Sequence, residues 1–117
     1  MPIEISEVHA MQDGSIFPKA KFFDEDKKAV VPTTVSWTWT DEDGEVINSR
    51  QDVVETPAHE IKVALFGDDL ALPAAFAGDA AARILTISAT YTSDKGAGMP
   101  LIESLKIFVD RRVKATT

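Results

Sequence analysis

Residues Val35–Thr40 read Val-Ser-Trp-Thr-Trp-Thr, with Val35, Trp37 and Trp39 on alternate positions and hydroxyl side chains between them. A two-residue period is that of a β-strand with one buried and one wet face, since successive side chains point to opposite sides. Both tryptophans of the chain therefore fall on one face of one strand. Two large rings on one side of a strand need an apolar layer opposite them, so the stretch anchors the core of a two-sheet protein.

The rest of the chain has to supply that layer. At 117 residues it fits one domain, expected over residues 1–117, and buries roughly two thirds of the surface its unfolded form exposes. There is no cysteine, so disulfides and thiolate metal sites are excluded and apolar packing must hold the domain together. Twelve basic and nineteen acidic side chains give a formal charge of −7. Such a field opposes nucleic acid and anionic membrane surfaces. The basic cluster Arg111, Arg112 and Lys114 is too short to act as a nucleic-acid arm. The segment Met1–Ile5 lacks the charged and apolar regions of a signal peptide, and no apolar run approaches the ~20 residues of a membrane span. Synthesis in the cytoplasm, without membrane insertion, is the expectation.

Alternation recurs along the chain. Ile3–Ala10 reads as a first strand and Asp13-Gly14 as a turn. Lys19–Phe23 follows, with Ala20 and Phe22 on one face; Pro18 implies that this strand starts there or lies at an edge. Asp43-Gly44 predicts a hairpin that returns Val46-Ile47 beside the tryptophan strand, and Val53-Val54 adds a short piece. Glu60–Leu65 points Ile61, Val63 and Leu65 inward, and Gly67–Leu70 reverses the chain. The alanine-rich stretch Pro73–Ala82 has room for a short helical turn near 73–77. Arg83–Thr92 turns Leu85, Ile87, Ala89 and Tyr91 inward, Lys95–Gly98 forms a hairpin loop, and Leu101–Val109 closes the domain. The expectation is an all-β sandwich of about seven antiparallel strands.

The central tryptophan strand, the Asp43-Gly44 hairpin, Gly67–Leu70 before a penultimate strand ending in Ala89-Thr90-Tyr91, and a last strand with Glu103 and Phe108 form a recognisable pattern. Over roughly Lys19–Val109 it resembles the small immunoglobulin-like β-sandwich proteins of phage and prophage structural-gene regions. The resemblance implies a non-enzymatic, virion-associated structural protein. It would work through protein–protein contacts with other virion subunits or with itself, and would reside in the host cytoplasm and then in the virion. The chain departs from antibody-type domains in having no cysteines around the tryptophan and in placing Tyr91 at the end of its strand.

Candidate chemistry is sparse. His9 and His59 are the only histidines and have no local nucleophile or ligand set, so both read as structural. The acidic runs Asp24–Asp26 and Asp41–Asp43 flank the tryptophan strand at opposite ends, lack calcium-loop spacing and read as solvated turns. Asp68 and Asp69 read as capping the chain reversal. No catalytic, cofactor-binding or metal residue is assigned. The alternative function is a carbohydrate- or cell-surface-binding module, which would need Trp37 and Trp39 in the open as a stacking platform.

Overall fold

The computed structural model describes residues 3–5, 10–72 and 80–111. Ten strand segments occur among them: β1 (Ile3–Ile5), β2 (Ala10–Met11), β3 (Ser15–Ile16), β4 (Lys19–Phe22), β5 (Thr34–Asp41), β6 (Val53–Glu55), β7 (Glu60–Lys62), β8 (Leu65–Phe66), β9 (Ala80–Ser93) and β10 (Gly96–Asp110). One 3-10 turn spans Gly67–Leu70. The protein is all-β, with packed sheets around a shared core.

The larger sheet runs β2-β10-β9-β5-β6, the smaller β1-β4-β7, and β3 pairs with β8. Alternation dictates the register. Val35, Trp37 and Trp39 stand opposite Ala89, Ile87 and Leu85 of β9, and all six are buried. Leu85 and Ala89 in turn face Leu105 and Leu101 of β10. From the smaller sheet Ile3, Ala20, Phe22 and Ile61 meet this layer, each 6% exposed or less. A one-residue slip would turn every one of these side chains to water, which is why the register is unique.

The first strand divides between the sheets. Ile3–Ile5 pairs antiparallel with β4, at Ile3↔Phe22 to Ile5↔Ala20. Ala10-Met11 pairs parallel with the end of β10, at Ala10↔Val109. Between β2 and β3, the turn at Asp13-Gly14 is made, with Gly14 N–H donating to Met11 O at 2.9 Å.

Of the two places that Pro18 implied for its strand the first holds: β4 starts directly after it, at Lys19, and is central in its sheet, not at an edge, while the Pro18 carbonyl accepts a hydrogen bond from Val63 N–H at 2.8 Å. Several other sequence expectations change. After Gly44 the chain returns without forming a strand, through a Thr40↔Val46 bridge and backbone bonds from Asp41 N–H to Glu45 O at 3.0 Å, Ile47 N–H to Trp39 O at 2.9 Å and Trp39 N–H to Arg50 O at 2.8 Å. It then leaves the sheet, with Asn48, Ser49 and Asp52 at positive φ, and rejoins as β6. Ala80–Ala82 belongs to β9, where sheet pairing overrides alanine's helical preference; the helical turn expected near 73–77 lies outside the described residues. The last hairpin is tighter than expected. It turns at Asp94-Lys95, and β10 begins at Gly96 with a register shift before Met99. Ten segments in place of about seven arise largely because β2, β3 and β8 are two residues each, too short for a period to register.

Candidate functional site

The acidic loops are turn structures. Asp24 Oδ1 accepts the N–H groups of Asp26 at 2.9 Å and Lys28 at 3.0 Å. Asp41 Oδ1 likewise accepts from Asp43 at 2.8 Å and Glu45 at 3.0 Å. Each aspartate thus closes its own loop, as short acceptor side chains do at bends. The loops sit at opposite ends of the larger sheet: Asp41 pairs with Arg83 and Thr34 with Thr90, while Glu25 reaches Tyr91. Among the described residues no three histidine or acidic side chains come together to hold a metal ion.

At the Glu25 end, the Tyr91 hydroxyl donates to Glu25 Oε2 at 3.0 Å. Burial raises the Tyr91 pKa, and the Glu25 carboxylate with Asp24 and Asp26 nearby raises it further. Glu25 is held below the usual carboxylate range by its own backbone N–H and by hydrogen bonds from Ser93 and Tyr91. His59 Nδ1 lies 3.0 Å from Phe22 O, with its ring edge-on to Phe23 at 5.5 Å; these contacts tie β4 to the segment before β7. His9 lies outside the described residues, as do Arg112 and Lys114.

Trp37 and Trp39 are 3% and 0% exposed, so neither presents a face for stacking on a sugar. Trp37 Nε1 donates to Glu55 Oε1 at 2.9 Å at the β6 edge. Trp39 Nε1 donates to the Asp69 carbonyl at 2.8 Å.

Asp69 is the one buried charged side chain among the described residues, at 0% exposure. Its Oδ2 accepts from Phe66 N–H at 3.0 Å, the capping of the reversal that the sequence suggested. The same carboxylate also takes Arg50 Nε at 2.8 Å, Arg50 Nη2 at 3.2 Å and Asn48 Nδ2 at 2.8 Å. Burial pushes its pKa up, but the donors from Arg50, Asn48 and Phe66 and the Arg50 charge outweigh it, and the carboxyl lies below its ordinary range. The Arg50 guanidinium also sits 5.8 Å from the centre of the Phe66 ring. The partnership with Arg50 and Asn48 has no local signal in the sequence, because it joins segments about twenty residues apart.

A cavity of about 350 Å³ opens beside this hub, lined by Asp41, Glu45, Asp68 and Arg83 with apolar Val46 and Leu72. Arg83 Nη1 donates to Ala82 O at 3.1 Å, and Arg83 Nε is buried without a partner. The polar clusters therefore join strands and loops, and no nucleophile stands beside an oriented base in them. Among the described residues, no helix is long and apolar enough to cross a membrane.

The outer face of the larger sheet is lined with hydroxyl side chains. Opposite the buried residues of β5 stand Thr34, Ser36, Thr38 and Thr40, paired with Thr90, Ser88, Thr86 and Ile84 of β9. Hydroxyls bond across the strands, Thr34 to Thr90 at 2.8 Å and Thr86 to Ser104 at 2.9 Å. Comparison with family models, curated proteins and solved structures finds no match for the chain.

Proposed function

We propose that this chain is a non-enzymatic structural protein of a phage or prophage particle, built as an immunoglobulin-like sandwich and acting through protein–protein contacts. The observation that carries the reading is the division of the first strand: β1 runs antiparallel to β4 in one sheet, and β2 runs parallel to the last strand in the other. Together with the order β10-β9-β5-β6, that supports the immunoglobulin-like arrangement. The tryptophans pack in the core and the buried carboxylate cross-links loops, so what such a domain offers a partner is a rigid surface. On this reading its partners are other virion subunits or further copies of itself, not nucleic acid or lipid.

The test is quantitative mass spectrometry of particles purified after induction of a strain carrying the gene. The expected result is a peptide signal that co-purifies with capsid or tail proteins at a fixed ratio through a density gradient. Reproducible absence from particles, with the protein present in the lysate, overturns the virion assignment.

A further inference from the structure

We infer that the outer face of the larger sheet is a self-association surface, on which a second copy of this chain packs face to face. The inference draws on the protein–protein reading above only for the class of partner, not for the particle.

Charge is the first argument. The chain carries −7, so two copies repel unless they meet where neither is charged. The outer face provides such a region. The row Ile102–Ser88–Ser36–Val54 crosses four strands, and the neighbouring row Ser104–Thr86–Thr38 is equally uncharged. Ile102 and Val54 at the two ends are 62% and 81% exposed, apolar shoulders flanking a hydroxyl-lined centre. The hydroxyls of Thr34, Thr86, Thr90 and Ser104 already bond one another, which lowers the cost of covering them.

Complementarity at the rim is the second. Ionisable residues reappear at Lys106 on β10, opposite Ile84, and at Asp52 beside β6, whose N–H donates to Thr38 Oγ1 at 3.0 Å. A two-fold axis along the β9–β5 seam lays β10 of one copy over β6 of the other. Lys106 of each then approaches Asp52 of its mate, one row apart, in a closed isologous pair. Lys106 is free to move there, because its 3.5 Å contact with Glu42 is exposed on both sides.

The sheet edge is a poorer surface for the same purpose. Asp110 O accepts from Gln12 N–H, so the even-numbered residues of β10 turn their backbone groups to the edge. Pro100 removes one of those donors, and Glu103 points toward the core side opposite Ile87. Both features discourage strand addition.

Three strands spaced ~4.8 Å apart and about eight residues long, with the three residues of β6 beside them, give roughly 440 Å² in projection. That is below the ~800 Å² per partner of a standard interface, so the pair is weak, with a dissociation constant of about 10–100 μM.

Sedimentation equilibrium from about 5 μM to 1 mM, a range that brackets such constants, tests this. The expected mass climbs from 12.7 kDa toward twice that value. Ser36→Glu and Ser88→Glu each weaken association at least about ten-fold, the equivalent of ~1.4 kcal/mol, while Lys21→Glu on the opposite sheet does not. If a central charge unfolds the sheet, Ile102→Glu, which brings a carboxylate toward Asp52 of the mate, gives the same readout from an exposed position. A chain that stays monomeric at ~1 mM, a dimer indifferent to these changes, or one equally weakened by Lys21→Glu overturns the inference. Absence of the chain from particles leaves it standing.

Discussion

Among the described residues, replacing Arg50 by alanine removes two of the four hydrogen bonds to the Asp69 carboxylate and the only cation bonded to it. The carboxylate stays at 0% exposure, whereas Arg50 is 30% exposed and already partly hydrated. Breaking a wholly buried pair costs about 3–5 kcal/mol, mostly as the penalty on the charge left behind. Asp69 keeps Asn48 and the Phe66 N–H, so the expected loss here is about 2–4 kcal/mol at pH 7.5. The pH dependence carries the sharper information. In the parent chain the Asp69 pKa is depressed, so its contribution is present above the unfolded carboxyl range and lost as pH falls through the folded value. In Arg50→Ala burial is no longer outweighed by the guanidinium and the sign reverses: protonation relieves the buried charge. The stability gap between the two proteins therefore narrows on going from pH 7.5 to about pH 3.5. Urea unfolding followed by tryptophan fluorescence at both pH values measures it. A loss under ~1 kcal/mol at pH 7.5, or a gap that does not change with pH, refutes the view of Asp69 as a buried charge held by Arg50.

Trp37→Ala should cost about 3–5 kcal/mol by the same urea assay, as large core truncations do; a loss below ~1 kcal/mol would mean that the ring is not packed. Tyr91 is the only tyrosine in the chain, so phenolate absorbance reads it alone. Its midpoint should lie above the ordinary tyrosine range because of burial and Glu25, and Glu25→Gln should move it downward. Since the folded pKa is raised, the stability linked to this group is intact below the unfolded tyrosine range and lost as pH rises through the folded value. A midpoint unmoved by Glu25→Gln would count against the hydrogen bond.

Strands with long, one-sided burial were legible from their period alone. Val35, Trp37 and Trp39 on β5, and Leu85, Ile87, Ala89 and Tyr91 on β9, are buried as alternation predicts. Side chains at Ala20, Phe22, Ile61, Val63 and Leu65 follow the same rule. What escaped is of two kinds. Two-residue segments such as β2 and β3 are defined by a distant partner rather than by their own residues. Asn48 and Ser49, at φ 53° and 58°, leave the expected hairpin with no glycine to mark the bend. Asp69 is the clearest case: its neighbours Gly67 and Asp68 announce a polar reversal, and the turn forms. Its burial depends on Arg50 and Trp39 arriving from elsewhere, and nothing within the turn encodes that. The hydroxyl face of β5 was visible as alternation, but its continuity with β9 and β10 required the register.

The pairing of Ala10 with Val109 joins residues 99 positions apart (109 − 10). During synthesis the early segment therefore waits, unpaired along that side, until almost all of the described chain has left the ribosome. Local contacts cannot close the barrier to folding on their own, and such long-range pairing slows the search. Growth from the N-terminus can assemble β1 with β4 and β7, and β5 with β6, first, leaving the core between them incompletely covered until β9 and β10 arrive. Completion of the fold is thus a late, all-at-once event in the life of the nascent chain, and the interval before it is when the protein is most open to mispairing.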